Sequence, residues 1–134
     1  MIFKITRAYY WTSLIISVCA LLLSFGLGLM ALGIIILPII IYNIKIGINL
    51  KRLQDKPKAV FFAASNWLIF ALIRPDGVHA TSENGLSSML DIFGISGGYI
   101  SDYENYYFTF SLLMIVIQIV TNYRLLKHIK LTKE

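Results

Sequence analysis

The chain has 134 residues, 57% of them hydrophobic and only 14% charged, with a formal net charge of +5 and a mean hydropathy of +0.73. Soluble domains carry about 25% charged residues, and so short a chain has too much surface to hide this many apolar side chains. The composition is that of a small integral membrane protein; it excludes a disordered chain, and the single cysteine excludes a disulfide framework.

Between Arg7 and Lys45 lie 37 consecutive uncharged positions, 8 to 44. A straight helix of that length would measure roughly 55 Å, against a hydrocarbon core of about 30 Å. The run is therefore expected to fold back on itself at Ser24-Phe25-Gly26-Leu27-Gly28, where two glycines give the backbone the freedom a turn needs. This predicts a first span over about 9–25 and a second over about 29–48, the latter kinked at Pro38. No small-x-small site ends the first apolar stretch, so it reads as a retained span rather than a cleaved signal.

The first span carries Ser13, Ser17, Ala20 and Ser24 at offsets 0, 4, 7 and 11, a continuous small-residue face suited to helix packing in lipid. The second ends near Tyr42, Asn43, Lys45 and Asn49, polar groups expected to turn into the bundle. Residues 50–58 form the first plainly aqueous stretch, in which Asp55 is expected to cap the third span and Pro57 to sit in its first turn. That span covers about 57–73 and contributes Asn66. Lys58 and Arg74 at its two ends are expected to snorkel toward the interfaces.

The outer loop, 74–105, is too long to be a mere connector. Asp76, His79 and Glu83 fall at offsets 0, 3 and 7, but one histidine with two carboxylates falls short of a metal-ligand set, and we expect neither metal nor cofactor. Leu86, Met89, Leu90 and Phe93 recur at offsets 0, 3, 4 and 7, predicting a short amphipathic helix that stops at Gly94. Tyr99 and Tyr103 follow at the mouth of the fourth span, where tyrosines form the interfacial belt. Together Leu86, Met89, Leu90, Phe93, Tyr99 and Tyr103 make the candidate partner-binding surface of the loop. The fourth span, about 106–126, places Ser111, Gln118 and Asn122 on one side at offsets 0, 7 and 11; with Asn66 these are the expected polar interior.

Charge then sets orientation. Eleven of the 12 basic residues flank the spans on one side and only Arg74 lies on the other, while five of the seven acidic residues fall in the outer loop. The positive-inside rule places both termini in the cytoplasm. The +5 is thus a topology signal, not a nucleic-acid site. The reading is an all-α, single-domain protein spanning 1–134, with four transmembrane helices, N-in and C-in, in a bacterial inner membrane. No nucleophile elbow, CxxC, HExxH or phosphate loop is present, and enzymatic activity is not expected.

In architecture alone the layout resembles small bacterial inner-membrane proteins that protect a cell, such as immunity proteins against pore-forming toxins or exclusion proteins. That resemblance implies a non-enzymatic protein that binds, protects or stabilises another membrane or envelope component through its helices and acidic loop. Two other readings of the residues stay open. One is a small homo-oligomeric channel or transporter lined by Asn66, Gln118 and Asn122; the other is a lipid-modifying enzyme working at the outer face.

Overall fold

In a computed structural model the described residues are 1–23, 27–74, 86, 92–95 and 104–132, with side chains described from Leu32 in the second helix and from Tyr106 in the last. They form four α-helices: α1 (Ile2–Leu23), α2 (Leu27–Ile48), α3 (Pro57–Ile73) and α4 (Glu104–Leu131). A single 3-10 turn, Leu50–Leu53, links α2 to α3, and the described residues include no strand. Two helical stretches, Ile2–Leu23 and Tyr106–Leu131, are long and apolar enough to cross a membrane; Leu32–Ile48 and Pro57–Ile73 are shorter apolar segments.

The first and last helices outrun their predicted bounds. α1 begins at Ile2 rather than near residue 9, and α4 runs to Leu131 rather than 126. Lysine and arginine mark the edge of an apolar span, but they are good helix formers and do not end the helix itself. α2 begins at Leu27 and continues through Pro38 without a break in assignment. Asp55 does not cap α3. The N-cap is Lys56, with no side-chain capping bond, and Pro57 opens the helix at a position whose missing N–H costs nothing. Asp55 instead meets His128 of α4, 3.2 Å away.

α1 packs most extensively against α3, and α3 in turn against α4; α2 is held by α4 and more lightly by α1. The α1–α3 contact is close because its facing side chains are small: Ser13, Ser17 and Ala20 are buried on α1, and Ala63, Ala64 and Ala71 on α3. Ser24 lies outside the described residues. Around this seam Tyr9 stacks on Phe61 with ring centroids 4.5 Å apart, and its hydroxyl meets Ser65 Oγ at 2.8 Å. Trp67 and Phe70, stacked at 5.0 Å, fill the centre of the bundle.

α2 touches α1 where Gly47 lies against the Trp11 indole. A Cβ added there would lie 2.8 Å from Trp11 Cζ2, whereas one added at Gly33 meets nothing within 4 Å. Gly47→Leu is therefore expected to destabilise the detergent-solubilised protein by about 1–3 kcal/mol through overpacking, with Gly33→Leu well below it. Unfolding titrations in mixed micelles compare the two directly.

The contacts between Trp11 and Gly47 and between Asp55 and His128 bring the start of α1, the end of α2, the 3-10 turn and the end of α4 to one end of the bundle. These are the segments that hold Lys4, Arg7, Lys51, Arg52, Lys56 and the basic residues of α4. The stretch expected to be plainly aqueous also closes this end: Leu50 and Leu53, which eclipse on a 3-10 turn, are both buried. At the opposite end Arg74 departs from expectation. It does not snorkel outward but is only 2% exposed, with its backbone N–H bonded to Phe70 O at 3.0 Å.

Candidate functional site

Four side-chain amides and one tyrosine hydroxyl converge on a cluster drawn from all four helices. Every helix in an apolar bundle satisfies its own backbone, so a side-chain amide within it must find another side chain or a carbonyl to bond. Asn66 on α3 donates through Nδ2 to Gln118 Oε1 at 2.8 Å and to the Met114 carbonyl at 3.0 Å. Gln118 on α4 donates through Nε2 to Asn43 Oδ1 at 3.1 Å and to Asn122 Oδ1 at 3.2 Å. Asn122 donates to the same Asn43 Oδ1 at 2.8 Å. α1 joins through Tyr10, whose hydroxyl donates to the Asn43 carbonyl at 2.8 Å. Asn43, Asn66, Gln118 and Asn122 are all buried, Gln118 to 1% exposure.

The hub of this cluster is Asn43. Its Oδ1 accepts from two amides at once, and its main chain accepts the tyrosine hydroxyl. Of the four polar residues near the end of α2, it alone lies fully inside: Tyr42 and Lys45 are exposed, correcting the expectation that they turn inward, and Asn49 bonds the Lys45 carbonyl of its own helix. Ser111, grouped by spacing with Gln118 and Asn122, is buried but stays outside the cluster, its hydroxyl bonding Tyr107 O one turn back at 2.7 Å.

Beside the cluster a small space of about 10 Å³ is lined by Tyr10, Asn43, Ala63 and Trp67, among others. Asn43 Nδ2 and Trp67 Nε1 are buried donors with no acceptor in the protein.

Of the outer-loop surface, Leu86 and Phe93 are described; both are exposed, and Ile92 and Ile95 beside Phe93 are exposed as well. Gly94 adopts φ +72, the left-handed conformation that stops a helical turn. Met89, Leu90, Tyr99 and Tyr103 lie outside the described residues, as do Asp76, His79 and Glu83. Among the described residues no group of His, Cys, Asp or Glu is arranged to hold a metal.

Four neutral amides and a phenol make up the cluster, bonded to one another and to the Asn43 and Met114 carbonyls. Comparison with protein-family models, curated proteins and solved structures finds no match. The fold and the cluster therefore carry the functional reading alone.

Proposed function

We propose that the chain is a four-span inner-membrane protein of the bacterial type, with both termini cytoplasmic, that works by binding another membrane or envelope component rather than by catalysis or conduction. The observation that carries this reading is an inside-out arrangement. Amides are buried and bonded together, while Ile15, Leu37, Leu113 and Val116 face outward and Ile34 is 84% exposed. Water does not tolerate large contiguous apolar surfaces of this kind, but lipid does.

Support for four spans comes from helix length: α2 has 22 residues and α3 has 17, about 33 and 26 Å, with tilt and snorkelling ends covering the remainder. Support for the orientation comes from the gathering of basic segments at one end of the bundle. The amides of α2, α3 and α4 bond directly to one another, which weighs against a water-filled lumen between them and so against the channel reading. The surface for a partner is that of the helices together with the acidic outer loop, in which Leu86 and Phe93 are exposed.

Photo-crosslinking from position 93 in native membranes tests this. A discrete adduct is expected, lost in the Leu86→Ser/Met89→Ser variant and retained in Gln118→Leu at equal expression. Ion flux through reconstituted vesicles above that of empty vesicles, abolished by Gln118→Leu, would replace binding with conduction.

A further inference from the structure

Between α2 and α4, the most loosely joined pair of neighbouring long helices apart from α1 and α2, runs an open groove of about 710 Å³. That volume falls within the roughly 300–1,000 Å³ of small-ligand sites. Away from the basic end the groove is apolar, lined by Ile35, Ile39 and Ile119, with Pro38 between them. Its mouth, at the basic end of the bundle, is lined by Lys45, Lys127 and Lys130, and among the described residues no acidic one lines any part of it. From Ile35 to Lys45 is ten residues of helix, about 15 Å, which is half the roughly 30 Å hydrocarbon thickness of a bilayer.

We propose that this groove is a binding site for one anionic phospholipid of the leaflet at the basic end, with its phosphate among the three lysines and an acyl chain along Ile39, Ile35 and Ile119. Charge complementarity selects this occupant. An ammonium cluster next to an apolar trough matches a phosphate on a hydrocarbon chain, and the distance matches one leaflet. A second copy of the chain in the same orientation would instead bring its own basic segments to the same level. An acidic peptide would pair with the lysines but would lay unpaired polar backbone along the apolar trough, which a bilayer penalises. The lipid would complete the packing of α2 against α4, lying next to Asn122, which lines the groove as well as belonging to the amide cluster. This site depends on membrane embedding but not on the binding role of the outer loop.

The test is native mass spectrometry of the full chain in neutral detergent, titrated with phosphatidylglycerol and with phosphatidylcholine of the same acyl chains. One retained phosphatidylglycerol per chain is expected, with at least tenfold preference over phosphatidylcholine. Lys45→Gln/Lys127→Gln/Lys130→Gln should abolish that preference, and Ile35→Trp, at a half-exposed position on the trough wall, should weaken retention of both lipids. Lys51→Gln/Lys56→Gln/Lys58→Gln removes the same charge from the same end outside the groove and should leave the preference intact. Equal loss in the two triple variants would reduce the effect to general surface attraction and overturn the site. So would equal retention of the two lipids by the wild-type chain, or displacement of bound lipid by millimolar glycerol phosphate, which lacks the acyl chain. Outer-loop crosslinking reads a different surface, so the two proposals fail separately.

Discussion

Asn43→Leu is expected to cost the folded protein about 1–3 kcal/mol. Leucine fills a similar volume but withdraws the oxygen that accepts from both Gln118 and Asn122. Gln118 keeps its bond to Asn122, whereas Asn122 Nδ2 loses the acceptor it has now. Hydrogen bonds between membrane helices average about 0.6 kcal/mol and reach about 1.7, and an orphaned buried donor adds its own penalty. Ser111→Ala is the contrast. Its hydroxyl bonds only the carbonyl one turn back on its own helix, so its removal should change stability by no more than about 0.5 kcal/mol. Reversible unfolding with sodium dodecyl sulfate in mixed micelles measures both. A double-mutant cycle between Asn43 and Asn122 should return a coupling of at least about 0.5 kcal/mol. Equal effects from Asn43→Leu and Ser111→Ala would mean that the amides do not hold the helices together.

The second large effect is expected at the small-residue seam. Ser17 is fully buried on the face of α1 that also carries Ser13 and Ala20, and its hydroxyl already folds back to the Ser13 carbonyl at 2.6 Å. Leucine at this position must push α1 away from its neighbour. Overpacking a tight core costs about 1–3 kcal/mol. In lipid, helix association rests on close packing rather than on the hydrophobic effect, so Ser17→Leu should fall at the upper end of that range. Ile15→Ala, two residues away on the exposed face, should stay within about 0.5 kcal/mol of wild type. If Ile15→Ala proved the more damaging, the exposed side of α1 would be facing a partner and not lipid.

How far the sequence reveals this molecule depends on the kind of signal each element leaves. The division of the uncharged run into α1 and α2 follows from its length, because a bilayer limits how long one span can be; of the two glycines expected at the turn, Gly28 lies within α2 and Gly26 lies outside the described residues. The offsets 0, 7 and 11 put Ser111, Gln118 and Asn122 on one side of α4, and all three are buried. Asn43 was harder to separate from its neighbours. α2 is apolar all round, so its sequence has no helical phase; only the structure shows that Ile36, Ile39, Asn43 and Ile46 share the buried face while Tyr42 and Lys45 turn away. Arg74 and Asp55 illustrate the limit of charge as a guide. The first is buried at the end of α3, and the second is drawn to His128 from a helix distant in sequence, which no local capping rule can foresee. Likewise Leu50 and Leu53 sit among lysines in the chain, yet they seal the end of the bundle through the eclipsed spacing of a 3-10 turn.

The central claim is that four helices cross the membrane with both termini and the α2–α3 link on the cytoplasmic side. Cysteine accessibility tests it most directly, because the only native thiol, Cys19, can be removed by Cys19→Ser. In that background Ile2→Cys, Gln54→Cys and Thr132→Cys should resist a membrane-impermeant maleimide in spheroplasts and react once the membrane is permeabilised, while Ile95→Cys should react at once. Labelling of Gln54→Cys in intact spheroplasts, with Ile2→Cys still protected, would leave α1 and α2 as a single crossing and contradict the four-span account.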